Sequence, residues 1–227
     1  MENKETFHAR VKPYFSPSHQ LDIKLAYVLA KFGHRAQVRK ELDEAGKPTR
    51  YFEHVRRVAI ILMDDMKIMD RDMIITALLH DSVEDTEDIT KELLEHSFGS
   101  DVASMVGILS KVPKEGYHER LEMCSHWKPI AIKACDRLDN LRSLMADGTS
   151  SSFQKKQIKE TKEIYFPLLD KLLTICPKEY LLRVSFVRDE IRRLIERYST
   201  ILEIEEMKAM RKESELNDLL NSVGSHQ

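Results

Sequence analysis

Glycine and proline are scarce in this chain, with 7 of each among 227 residues. So few turn formers argue against a fold of many short strands and favour long helices. Cysteine is scarcer still, at 3. Cys124, Cys135 and Cys176 have no CxxC spacing, which fits reduced thiols in a cytoplasmic protein rather than a disulfide framework. No apolar stretch reaches the length of a membrane span, and the opening Met1-Glu2-Asn3-Lys4-Glu5 has no apolar signal core. No membrane partner is therefore expected. An excess of positive charge is also missing, since 36 Lys and Arg stand against 38 Asp and Glu for a formal net charge of −2. Binding a phosphate backbone usually needs a basic face, so a nucleic-acid partner is not expected. The length suits one domain with a real core.

What the chain does contain is an unusual density of polar chemistry in His80-Asp81-Ser82-Val83-Glu84-Asp85-Thr86. This segment follows the apolar run Met73-Ile74-Ile75-Thr76-Ala77-Leu78-Leu79, which reads as a buried helix. If the helix continued, four-residue spacing would put His80 with Glu84 on one face and Asp81 with Asp85 on another. Three carboxylates that close repel one another unless a cation sits among them. The constellation therefore points to a metal site.

Two further segments could supply ligands. His54 opens a helix whose apolar positions Val55, Val58, Ala59, Leu62, Met63 and Met66 form one core-facing stripe. Around Asp136, the residues Ile130, Ala134, Leu138 and Leu141 make a buried face, with Asp136 and Asn140 one turn apart and offset from it. Lys133 and Arg137 flank Asp136, and by spacing alone this is a local ion pair on a solvated face.

Taken in order, His54, His80-Asp81 and Asp136 resemble the H…HD…D signature of HD-domain phosphohydrolases. The closer likeness is to the hydrolase domain of RelA/SpoT homologues and the small alarmone hydrolases. It runs through Gly33-His34-Arg35-Ala36-Gln37-Val38-Arg39-Lys40, Arg50 to Ala59, Thr76 to Thr86, Phe98-Gly99-Ser100-Asp101-Val102-Ala103, and Lys133-Ala134-Cys135-Asp136-Arg137-Leu138-Asp139-Asn140-Leu141-Arg142. The resemblance covers roughly residues 20–175. It implies a divalent ion, Mn²⁺ by preference with another divalent metal acceptable, held by His54, His80, Asp81 and Asp136. It further implies Glu84 and Asp85 as the acidic pair that activates water, and Arg39, Lys40, Asn140 and Ser143 as substrate contacts. The implied reaction is removal of the 3′-pyrophosphate of ppGpp or pppGpp, with a guanosine polyphosphate as partner.

Three departures stand out. Val55 occupies the usual place of Pro, Asp139 the usual place of His, and the connection from Lys40 to Tyr51 is long and charged. Because that connection would border the nucleotide, ppApp, NADPH or a nucleoside monophosphate is the alternative substrate. Arg35, Arg50, Arg56 and Arg57 join Arg39 and Lys40 as charges that could draw in a polyphosphate.

The expected architecture is an all-α HD-domain helical bundle with an appended C-terminal helix. Residues 1–177 read as the phosphohydrolase domain and 178–227 as a helical extension packed on it. Ser16-Pro17 starts a helix with Leu25, Val28, Leu29 and Phe32 on one face, and Thr90 caps a helix that Gly99 ends. Gly148 to Ser152 is a loop before a helix carrying Ile164, Tyr165, Leu168, Leu169 and Leu172 in phase. Val187, Ile191, Leu194, Tyr198 and Ile201 form a later stripe, and Asn221 to Gln227 are expected to fray. The late helix could also serve as a homo-oligomer contact, and an antitoxin-like regulatory role is a further alternative. A synthetase-like second domain is not expected at this length. His8, His19, His96, His118 and His126 read as surface residues, and Trp127 as a packing anchor.

Overall fold

The computed structural model describes residues 3–146 and 148–224, with side chains to residue 215. Helix α1 (Lys4–Val11) leads into α2 (Pro17–Gly33), whose N-cap Ser16 accepts from the His19 amide with Pro17 in the first turn. A short antiparallel hairpin follows, β1 (Val38–Leu42) and β2 (Pro48–Arg50). Then come α3 (Tyr51–Asp64), α4 (Arg71–Leu79), the single turn α5 (Ser82–Asp85), α6 (Lys91–Phe98) and α7 (Ser100–Leu109). Helix α8 (Tyr117–Met123) precedes the long α9 (Trp127–Arg142). The chain closes with α10 (Ser151–Glu160), a π-helical turn over Thr161–Tyr165, α11 (Phe166–Ile175) and α12 (Leu181–Gly224). The all-α bundle and its C-terminal helix are as expected, while the hairpin is an addition. No helix among the described residues is long and apolar enough to cross a membrane.

The core lies where α3, α4 and α9 meet, enclosed by α2, α7, α11 and α12. Helix α3 has the stripe its spacing predicts, and Val55, Val58, Ala59, Leu62 and Met63 are all buried, as is Met66 just beyond its end. Helix α4 is buried from Met73 to Leu79, including the hydroxyl of Thr76. Thr90 caps α6 and Gly99 ends it in the left-handed region, at φ +101°. Trp127 stacks on Tyr180 with ring centroids 5.5 Å apart, a packing role.

Helix α2 departs from the sequence expectation. It buries Ile23, Ala26, Tyr27 and Ala30 and leaves Leu25, Val28 and Phe32 about half exposed. The choice follows from packing. The two alanines allow α4 to approach closely, and Tyr27 fits between Phe7 and Phe52. His8, expected at the surface, is partly buried against Phe7 and Tyr27. On α12 the buried line is Val184, Val187, Ile191, Ile195, Tyr198 and Leu202, so Leu194 and Ile201 sit at its margin. Farther along α12, Ile204, Met207 and Met210 are exposed. Asn221 to Gly224, expected to fray, continue α12, and Ser225 to Gln227 lie outside the described residues.

The hairpin forms because Asp43 closes its turn, its Oδ1 accepting from the amides of Ala45 and Lys47, both at 2.9 Å. Facing β1 across a narrow gap is Gly148, at φ +92°. A Cβ there would collide with the Lys40 carbonyl oxygen, so glycine is required both for backbone angle and for close approach. Gly148→Ala should destabilise the protein by about 2 kcal/mol. Urea denaturation measures this, and an unchanged midpoint would show that the loop does not press on the hairpin.

Candidate metal centre and adjoining cavity

His54 lies on the second turn of α3, which points it at the centre of the bundle. His80 caps the C-terminus of α4, and Asp81 stands between it and the turn α5. The helix therefore breaks at this point, and His80 shares no helical face with Glu84. Asp136 comes from α9. That helix is buried on nearly every side, Lys133, Asp136, Arg137 and Asp139 included. The Lys133–Asp136 ion pair read from spacing exists, at 2.7 Å, but inside the protein rather than on a solvated face.

Four side chains converge. His54 Nε2 is 3.1 Å from Asp136 Oδ1 and 3.6 Å from Asp81 Oδ2. His80 Nε2 lies 3.1 Å from Asp81 Oδ2 and 3.8 Å from Asp136 Oδ1. One ligand atom each from His54, His80 and Asp81 falls within 4.8 Å of the others. His80 Nδ1 donates to the Ala77 carbonyl at 2.9 Å, while its Nε2 is buried and has no hydrogen-bond partner. A buried nitrogen left unpaired among two carboxylates and a second imidazole is what a divalent cation site requires. The mixed donor set suits a borderline ion.

The electrostatics follow from burial and pairing. Burial alone would lower the His54 pKa, but Asp136, Asp139 and Asp81 hold it up at about 9. Burial opposes charge on His80 too, and Asp81 and Asp136 raise it to about 10. Burial would raise both carboxyls, yet His80 and His54 keep Asp81 well below the usual range, and Lys133 with the two histidines does the same for Asp136. Asp85 behaves differently. Burial, then the charges of Asp81 and Glu84, push it up to about 6. Glu84 accepts from the Lys111 backbone amide at 2.6 Å and from its ammonium at 3.0 Å.

Arg39 donates to Asn140 Oδ1 at 2.8 Å and to Ser143 Oγ at 3.4 Å. Lys40 lies 4.0 Å above the Phe153 ring. These four polar residues line a cavity of about 250 Å³ between the hairpin, the end of α9 and α10. Asn140 donates to Asp136 Oδ1 at 2.7 Å, and Tyr51, on the cavity wall, donates to Asp81 Oδ2 at 2.7 Å. Cavity and cluster are thus joined by two side chains. Of the other basic residues, Arg35 pairs with Asp88, and Arg50 and Arg56 both pair with Glu53. Arg57 bridges Glu41 and Asp139. Spacing gave no hint of Tyr51, whose contact with Asp81 spans 30 residues, or of His34, which is buried against the Tyr51 ring.

A family model described as HD domain matches residues 26–174. The chain belongs to the HD domain family. It is 38% identical over 165 residues to a guanosine-3′,5′-bis(diphosphate) 3′-pyrophosphohydrolase of Aquifex aeolicus, covering 69% of this chain and 22% of that one. A Myxococcus xanthus protein named GTP pyrophosphokinase is 32% identical over 207 residues, 84% of this chain and 25% of its own. The chain spans about a quarter of the length of the curated relatives it matches. Among solved structures, a metazoan orthologue of SpoT, described as hydrolysing ppGpp, superposes with a TM-score of 0.59 and 27% identity. That match covers 77% of this chain and 95% of the orthologue.

The raised histidines give this HD domain a pH signature without metal. Their folded pKa values of about 9 and 10 lie above the unfolded value near 6.5. Their stabilising contribution is therefore complete below pH ~6.5 and lost as pH rises through 9 to 10. Chelator-treated protein should show a falling urea midpoint between pH 7 and 10, and less of a fall with a divalent ion present. A midpoint that stays level would mean that the cluster is not held by charged imidazoles.

Proposed function

We propose that this chain is a metal-dependent phosphohydrolase that removes the 3′-pyrophosphate of guanosine polyphosphates such as ppGpp and pppGpp. The observation that carries this reading is the unpaired His80 Nε2 within its cluster, joined by Tyr51 and Asn140 to a cavity bearing Arg39 and Lys40. The name of the Aquifex relative and the activity described for the metazoan orthologue support it.

In this reading His54, His80, Asp81 and Asp136 hold the ion. Manganese is the first choice, and iron or zinc would suit the same donors. The ion's contribution, when bound, is to acidify a water and polarise a phosphoryl oxygen. Asp85, with its raised pKa and its place one turn beyond Asp81, takes the proton of the attacking water. Glu84, fixed by Lys111, orients that water. The water oxygen bonds to the phosphorus carried on the 3′ oxygen, and the bond from that phosphorus to the 3′ oxygen breaks. The 3′ oxygen takes up the proton Asp85 accepted, leaving as a hydroxyl with pyrophosphate released. Arg39 and Lys40 meet phosphate oxygens, and Asn140 and Ser143 hold the Arg39 fork ready for them.

Incubation with ppGpp and Mn²⁺ should give GDP and pyrophosphate, and a chelator should stop it. Asp81→Ala should lower turnover on the order of 10³-fold. Unchanged turnover in that variant would sink the reading, and turnover of ppApp or NADPH in preference to ppGpp would move the substrate class. The pH–rate profile should rise with pH along an acid limb at or below about 6, because Asp85 acts only when ionised and a bound cation would bring its raised pKa down from that value. Asp85→Asn should remove that limb together with most of the activity. A limb that survives the substitution would assign the base to another group.

A further inference from the structure

Asp139 takes no part in the cluster just described, yet it touches it from behind. The ring of His54 lies between two carboxylates of one helix. Asp136 Oδ1 is 3.1 Å from Nε2, and Asp139 Oδ2 is 2.7 Å from Nδ1. Three residues apart on α9, the two acids are neighbours on the helix surface, separated by about the span of an imidazole. His54 is 1% exposed and Asp139 2%, so no water competes for the Nδ1 contact.

Asp139 is itself held. Arg57 Nε donates to its Oδ1 at 2.6 Å and Arg57 Nη2 to its Oδ2 at 3.1 Å, a two-point fork that fixes the plane of the carboxylate. Arg57 Nη2 is anchored in turn by Glu41 Oε1 at 2.9 Å, and Glu41 accepts from the Thr49 hydroxyl at 2.8 Å across the hairpin. A carboxylate held this way can only accept. The nitrogen facing it must carry the proton, so that whenever the ring is neutral the other nitrogen presents its lone pair.

We propose that Asp139 is the positioning residue of His54, forcing the Nδ1–H form so that the Nε2 lone pair faces His80, Asp81 and Asp136. The assignment rests on the reading of His54 as a metal ligand. A carboxylate behind a ligating histidine fixes its ring and raises its basicity. Where proteins resembling this one usually carry His, this chain has a residue of fixed negative charge, clamped by Arg57. The substitution thus strengthens the ligand rather than only adding negative charge near the substrate.

The test is metal affinity and spectroscopy on the full chain. Asp139→Asn keeps the shape but can donate its amide to Nδ1, moving the proton to Nε2, where it would oppose a cation. Binding of Mn²⁺ and Zn²⁺ by calorimetry should weaken roughly 10- to 100-fold in that variant. Arg57→Gln removes the same ion pair yet leaves the carboxylate on His54, and should lose far less. Equal losses in the two variants would make Asp139 only a partner for Arg57 and overturn the proposal. In zinc-loaded unmodified protein, ¹⁵N-edited spectra should show His54 protonated at Nδ1 and metal-bound at Nε2. The reverse would overturn the assignment even if the Asn variant did not fold. Unmodified protein that takes up neither ion overturns the reading of the site and this assignment with it. Ion uptake that Asp139→Asn leaves untouched overturns the assignment alone.

Discussion

Three carboxylates, Asp81, Asp136 and Asp139, are buried at the centre of this protein, and the surrounding architecture serves to balance them. An isolated charge in such a place is costly enough that the group would neutralise instead. Here each acid meets a buried partner. Asp136 has Lys133 and the two histidines, Asp81 has both histidines and the Tyr51 hydroxyl, and Asp139 has His54 and Arg57. The partners come from α3, α4 and α9, so these helices must meet at one point for the balance to hold. Their apolar faces pack around that point, and the charge cluster becomes the fixed reference for the bundle.

Charge is balanced there but hydrogen bonding is not, and the proposed metal site rests on that difference. His80 Nε2 is buried with carboxylate oxygens nearby and no hydrogen-bond partner. In the proposed reading this nitrogen is the one that meets the cation. The neighbouring cavity is built on the same logic with the sign reversed. Arg39 and Lys40 offer positive charge beside a cluster rich in carboxylates, and Asn140 touches both regions at once. A polyphosphate spanning the two would find cationic side chains at one end and the ion at the other.

Much of this was legible in the chain. The apolar run from Met73 to Leu79 is interrupted only by Thr76, and the stripe on α3 shows its period clearly, because Leu, Ile, Met and Val dominate both. The caps at Ser16 and Thr90 were equally plain, since local side-chain to backbone bonds depend on few residues. The reading failed where two faces of a helix compete. On α2 the larger residues Leu25, Val28 and Phe32 make the more hydrophobic face, but Ile23, Ala26, Tyr27 and Ala30 make the face that fits. On α9 the charged residues looked solvated because their partners His54, Arg57 and Tyr165 lie far away in sequence. The hairpin was missed because Val38-Arg39-Lys40-Glu41-Leu42 has little apolar alternation and depends on its turn and on Gly148.

The candidate metal ligands were named through the family resemblance, while sequence patterning alone determined the helical class and the main core stripes. These depend on residue type and on spacings of a few positions, which are local properties. Tertiary structure decided which nitrogen of His54 faces the cluster, that Asp139 stands behind it, and that Arg39 is held by Asn140 and Ser143. It also decided that Lys133 pairs with Asp136 in the interior rather than at the surface. Those contacts join residues as much as 104 positions apart, or depend on burial that neighbours in space impose. No local pattern encodes them, because they exist only once α3, α4, α9 and the hairpin share one centre.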